Sequence, residues 1–368
     1  MTDTPPLPFL TAKLPGIGGT IKTQVEDFVV EEIPVYEPCG DGDHLFLWLR
    51  KQNLAAMDLE RRIARALGIS TRDVGSAGLK DTRAITTQYL SVPASCEAAI
   101  GQIDDDQITV LKAERHTNKL KTGHLIGNHF TIRVRNPVDG APARAQAIAA
   151  LLGQLGMPNF FGPQRFGRNN VEIGLALLRG ENPEVMARMR RGRRATLKRL
   201  ALSSVQSAVF NRCLMQRMHD GLTHTVLEGD VMQVCASGGP FFVDDVAREQ
   251  ARFEAREVVI AGPMFGPKMR RGRGVAHERE QAALTAMGLS DKDFAGHGKL
   301  LRGTRRPYLV WFNEFVIEKV ETDILVRFTL PKGSYATVLL GELMKSEVGG
   351  FGGLDEPDSL ALDVPDDD

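Results

Sequence analysis

Several signatures of stapled, metal-bound or membrane-spanning proteins are missing from this sequence. Its four cysteines, Cys39, Cys96, Cys213 and Cys235, stand far apart with no Cys-x-x-Cys pair, which excludes a zinc ribbon, a dithiol redox motif and a disulfide scaffold. Reduced thiols of a cytosolic protein fit that usage. No run reaches the roughly 18 apolar residues of a membrane span, and the opening MTDTPPLPFL lacks the basic start and apolar stretch of a secretory leader. A cytoplasmic location is therefore expected. There is no Walker A loop, no Gly-x-Gly-x-x-Gly after a strand, no His-Glu-x-x-His and no Gly-x-Ser-x-Gly, so nucleotide-driven and zinc chemistry have no sequence support. The eight histidines form no cluster.

Net charge is absent too, since 46 Lys and Arg balance 46 Asp and Glu. That average hides a segregation. Arg188, Arg190, Arg191, Arg193, Arg194, Lys198 and Arg199 follow one another without an intervening acid. Further basic groups run through Lys112, Arg115, Lys119 and Lys121 and through Lys268, Arg270, Arg271 and Arg273. Compensating acids collect near the end, at Asp355, Glu356, Asp358, Asp363 and Asp366 to Asp368, in a stretch (351–368) that reads as a disordered tail. What is left is a basic folded body suited to a phosphate backbone.

The 368 residues suggest about two domains. TIKTQV and FVVEEI read as extended, HLFLWLRK as a strand with an apolar centre, and HFTIRVRN as a strand with Phe130, Ile132 and Val134 on one face. Helical spacing covers Ala55 to Leu67, with Gly68 as its stop, and Ala141 to Leu155. From about Gly156 the rhythm changes to helices such as Ala195–Met218, short strands and Gly/Pro-rich loops. After Arg306 the sheet vocabulary returns. YLVWFNEFVIEKV and ILVRFTL flank a turn at Glu321–Asp323, and Ser334 is placed to cap a helix through Lys345. The reading is an α/β (α+β) domain built from 1–155 and 306–350, with a second α/β domain, 156–305, inserted into it.

Three stretches carry candidate chemistry. Gly75-Ser76-Ala77-Gly78-Leu79-Lys80-Asp81 puts a carboxylate on a Gly-rich loop beside Thr86, Thr87 and Gln88; a turn whose Asp accepts backbone N–H groups explains the same spacing. Gly127-Asn128-His129-Phe130 sets an amide and a ring on one strand face, able to hydrogen-bond and stack a planar base. Asn159 to Gly167 places three Phe beside amides and Arg165. Phe28 and Phe328 serve equally well as core residues.

Taken together, these stretches resemble the TruD family of tRNA pseudouridine synthases. The blocks are Glu26-Asp27-Phe28 with Val30 and Glu31, then Ala77 to Asp81 with Thr87-Gln88, Arg115-His116 with Lys119-Leu120, Gly127-Asn128 with Phe130, Pro158 to Gly167, and Leu330-Pro331 with Gly333-Ser334 and Ala336-Thr337. They occur in family order over most of the chain, and their joint occurrence is specific. The resemblance implies a pseudouridine synthase domain around a mostly antiparallel sheet, an inserted TRUD domain, and a basic cleft for tRNA. It implies isomerisation of uridine 13 in the D-arm, usually of glutamate tRNA, by a monomer needing no cofactor or metal. It makes Asp81 the catalytic aspartate, aligns Phe28, Asn128 and Phe328 with uridine-contacting positions, and makes Phe130 a stacking ring. Lys22 and Lys80 are then candidates for keeping Asp81 ionised, and Arg165, Arg190, Arg191, Arg193 and Arg194 for gripping RNA backbone. Two rivals stand beside it: an RNA-binding module in which Asp81 is only a turn residue, and a hydrolase pairing Asp81 with Glu31 or Glu32.

Overall fold

The computed structural model describes residues 6–167, 169–187, 189 and 191–346. Arg188, Arg190 and the acidic tail lie outside the described residues, as does the side chain of Arg191. The strands in chain order are β1 (Phe28–Pro34), β2 (His44–Gln52), β3 (Gly75–Ser76), β4 (Ile85–Pro93), β5 (Ile108–His116), β6 (Leu125–Val134) and β7 (Met157–Pro158). There follow β8 (Val231–Val234), β9 (Pro240–Phe242), β10 (Val258–Met264), β11 (Thr304–Pro307), β12 (Leu309–Val310), β13 (Asn313–Val320) and β14 (Asp323–Pro331). The helices are α1 (Ala56–Leu67), α2 (Ala141–Leu155), α3 (Asn170–Leu178), α4 (Glu184–Ala187), α5 (Arg191–His219), α6 (Val246–Glu254), α7 (Gly274–Thr285) and α8 (Ala336–Met344). None of the described helices is long and apolar enough to cross a membrane.

The described residues divide into two compact units. One takes Leu14–Ala150, Phe312–Ala336 and the chain from Leu343; the other takes the residues up to Lys13, Leu151–Trp311 and Thr337–Glu342. The first is built on a mixed sheet ordered β13-β14-β6-β1-β4-β2-β5, with β3 added to β4. Every pairing in it is antiparallel except β1 with β4. Strand alternation sorts its side chains cleanly. Leu45, Leu47 and Leu49 of β2 and Leu90 and Val92 of β4 are buried together with Leu59, Ile63 and Ala64 of α1. That amphipathic helix ends at Gly68, whose φ of 66° is the left-handed C-cap that glycine adopts at little cost.

The second unit carries a four-stranded antiparallel sheet, β11-β10-β8-β9, and the short pair β12–β7. The long α5 packs on α3 and β10. Its interior holds the ion pairs of Arg217 with Asp230 and Arg305 with Glu280. All four cysteines are free thiols, and burial pushes the Cys213 thiol upward.

Three local expectations are corrected. TIKTQV forms no strand: Thr20 makes one isolated bridge to Arg135, Lys22 adopts φ 56°, and Val25–Asp27 is a single 3₁₀ turn. Asp27 holds that turn by accepting from the Gln24 N–H at 2.8 Å. The run YLVWFNEFVIEKV is broken at Trp311–Phe312 into β12 and β13, which join different sheets. Ser334 does not cap α8, since its buried hydroxyl has no hydrogen-bond partner among the described residues.

Candidate active site

One face of the larger sheet turns from apolar to polar where β1, β4 and β6 lie side by side. Register fixes which residues share it. Phe328 sits opposite Phe130, Phe130 opposite Val30, Val30 opposite Thr86, and Thr86 opposite Lys51. One step along, Leu330, Asn128 and Glu32 form a second row, with Gln88 facing Leu49. Glu32, Lys51, Thr86 and Gln88 are all buried, an unusual density of polar groups for a sheet interior.

Asp81 lies on the loop between β3 and β4 at the edge of this patch. Its carboxylate accepts a hydrogen bond from Lys22 Nζ at 2.9 Å, with the Asp81 side chain 25% exposed and Lys22 only 9%. The same ammonium stands 4.1 Å from the Phe28 ring centroid, so one cation touches both the carboxylate and the aromatic cluster. Phe130 meets the edge of Phe28 at 6.2 Å and stacks on Phe328 at 5.3 Å. The left-handed backbone at Lys22 is costly for a residue with a side chain, and it is placed where the side chain must reach Asp81.

The other sequence candidates have definite places. Lys80 does not pair with Asp81; its ammonium is 2.6 Å from Glu32, with both side chains nearly inaccessible. That pairing also occupies the carboxylate that a two-carboxylate hydrolase would need, and Glu31 points to the opposite, exposed face. Asn128 presents a buried amide oxygen with no hydrogen-bond partner among the described residues, as do Gln88 and the Thr86 hydroxyl. Gly127 explains how Asn128 is seated: a Cβ there would lie 2.2 Å from the Leu330 carbonyl oxygen, so only glycine permits this approach of β6 to β14.

The front of the aromatic stretch, Asn159–Phe161, belongs to the core of the other unit, whereas Phe166 is only half-buried. Phe160 and Phe161 are buried, the Phe161 backbone N–H and C=O are both bonded to the Asn211 amide at 2.9 Å, and the Arg306 guanidinium lies 4.1 Å from the Phe161 ring. Arg165 donates to Ser207 at 3.1 Å and Ser203 at 2.7 Å on α5. Arg193 is half-buried in the first turn of α5, and Arg194 donates to Asn182 at 3.0 Å. Beside them a groove is lined by Leu177, Met186, Arg194 and Lys198. Among the described residues no three His, Cys, Asp or Glu side chains converge as metal ligands.

Lys51 escaped the sequence reading. It is fully buried, and its Nζ donates to the carbonyl of Leu54 at 2.7 Å and to that of Asp81 at 2.6 Å. Its signal was parity: Leu45, Leu47, Leu49 and Lys51 alternate along β2 and must share a face.

Comparison with known proteins gives the family. A family model described as tRNA pseudouridine synthase D (TruD) matches residues 7–191 and 191–343. A protein named tRNA pseudouridine synthase D from Anaeromyxobacter sp. (strain Fw109-5) is 45% identical over 348 residues, covering 94% of this chain and 97% of its own. One of the same name from Thermus thermophilus is 40% identical over 342 residues, 92% of each chain. The crystal structure of a putative tRNA pseudouridine synthase D from Methanosarcina mazei matches with a TM-score of 0.70 at 26% identity, covering 93% of this chain and 96% of that one.

Proposed function

The chain belongs to the TruD family of tRNA pseudouridine synthases, and from that premise we propose that it isomerises uridine to pseudouridine in tRNA, at position 13 of the D-arm, with Asp81 as the catalytic residue. The observation that carries the reading is the Asp81 carboxylate held by Lys22 against the Phe28–Phe130–Phe328 cluster. A carboxylate, an adjacent cation and a set of rings are what a planar uracil on an anionic backbone requires.

The target nucleotide leaves its stack, at a cost of a few kcal/mol, and base–aromatic stacking of about 1–3 kcal/mol offsets that cost once the rings, 5% exposed or less in this structure, open to receive the base. The amide oxygen of Asn128, unpartnered among the described residues, offers an acceptor to the uracil edge. The Asp81 carboxylate then works at the ribose, by attack on C1′ or by removal of the C2′ proton. Either way the N1–C1′ bond breaks, the uracil turns, a C5–C1′ bond forms, and the C5 proton is lost while N1 gains one. No electrons are transferred overall and no group donor is consumed, so the isomerisation itself calls for no cofactor. Glutamate tRNA is the proposed substrate, and a monomer the proposed working form. We assign the catalytic domain to 1–155 and 306–350 and the inserted domain to 156–305, with Arg165 and the arginines at 190, 191, 193 and 194 gripping RNA backbone.

Tritium release from [5-³H]uridine-labelled glutamate tRNA tests the proposal. The wild type is expected to release label, Asp81→Asn to release none while still binding the RNA on filters, and a tRNA with cytidine at position 13 to lose the signal. Binding by both proteins with no release from any uridine-labelled tRNA would instead leave an RNA-binding module.

A further inference from the structure

Asp81 is anchored from beneath as well as from the side. The end of β2 turns back through Asn53, whose φ is 47°, and its N–H donates to the Ala84 carbonyl at 3.2 Å. Two residues earlier, the Lys51 ammonium spans the Leu54 and Asp81 carbonyls at 2.7 and 2.6 Å. The turn after β2 and the Asp81 loop are therefore tied together by one buried cation whose bonds all go to backbone oxygens. Lys22, by contrast, bonds the Asp81 side chain.

We propose that Lys51 is a positioning residue for Asp81: by gripping the Asp81 carbonyl it fixes the loop backbone, and through it the direction in which the carboxylate faces the ribose. The inference rests on the synthase reading of the site. A buried ammonium is an expensive way to tie two loops unless the charge itself matters. Its charged neighbours are few. Asp81 attracts it, Lys22 and Lys80 repel it, and Glu32 on β1 is taken up by Lys80. Its register partners Thr86 on β4 and Ile108 on β5 do not titrate. Burial, aided by Lys80 and Lys22 and opposed by Asp81, lowers the Lys51 ammonium to about 8. The grip is thus largely charged at neutral pH and loses its charge just above it.

Single-turnover tritium release by the full-length protein, with enzyme in excess over labelled tRNA, gives the test. Lys51→Met is expected to lower the rate constant about 100-fold, the scale of a misplaced reacting group, with tRNA affinity within about twofold of wild type. Hydrogen exchange in 78–84 should quicken while that of β6 and β14 stays slow. Wild type itself should show a rate constant that declines with a midpoint near pH 8, a readout that survives if Lys51→Met does not fold. An unchanged rate constant in Lys51→Met, or a high-pH decline of the wild type that persists in Lys51→Met, overturns the assignment while leaving the synthase reading intact. A silent wild type overturns both, and is recognised as failure of the underlying reading because no variant is involved.

Discussion

Arg135 closes on Asp27 with Nε at 2.8 Å and a terminal nitrogen at 2.7 Å, one residue before Phe28 enters the site. Burial pushes the Asp27 carboxyl up, but the Arg135 hydrogen bonds, the Gln24 N–H and the charges of Arg135 and Arg133 outweigh it and hold the group below its ordinary value. A depressed carboxylate contributes stability that is present above its unfolded value near 3.8 and is lost as pH falls through the folded one. Arg135→Leu leaves that carboxylate buried and unpaired and is expected to cost about 3 kcal/mol at neutral pH. Urea unfolding at neutral pH and again below the unfolded carboxylate value checks it: the difference between the proteins should shrink in acid. An equal difference at both would mean that Arg135 acts by packing.

Among elements, α3 and α5 show how a close approach is written into the chain. A Cβ on Gly174 would lie 2.3 Å from the Ala201 carbonyl oxygen and 2.6 Å from Val205 Cγ2. Helix propensity alone favours alanine there by about 1 kcal/mol. The overlap is with backbone and is not relieved by turning a side chain, so Gly174→Ala is expected to destabilise by about 1–3 kcal/mol, read as a lowered melting temperature. A rise in melting temperature would show that propensity wins. The periodic elements were legible for equally local reasons: α1 and α2 from their helical spacing, β6 from alternation, and the β13–β14 hairpin from its polar turn. TIKTQV was not legible, because its extended propensity yields to the Asp27–Arg135 pair and to the reach of Lys22, both made with residues far along the chain.

For the whole molecule, charge segregation matters more than the zero sum. If the arginines at 190, 191, 193 and 194 meet phosphates, changing all four to Gln should weaken tRNA binding and flatten the dependence of log affinity on log salt by up to about 3.6, at roughly 0.7–0.9 per phosphate contact. Filter binding over a salt series reads both quantities, and an unchanged slope would place the RNA elsewhere. The sequence by itself determined the family, through blocks spread over most of the chain, and the strand parity that puts Asn128 and Phe130 on one face; the register that brings Phe28 and Phe328 to the same face came from the structure. Family and parity follow from residue identity and the period-two geometry of a strand. Only the tertiary structure decided that Lys22 takes Asp81 while Lys80 turns to Glu32, and that a buried Lys51 grips the Asp81 backbone. Which of three ammoniums meets which oxygen depends on loop conformation and cross-strand register, and those are set by contacts between segments that no local pattern records.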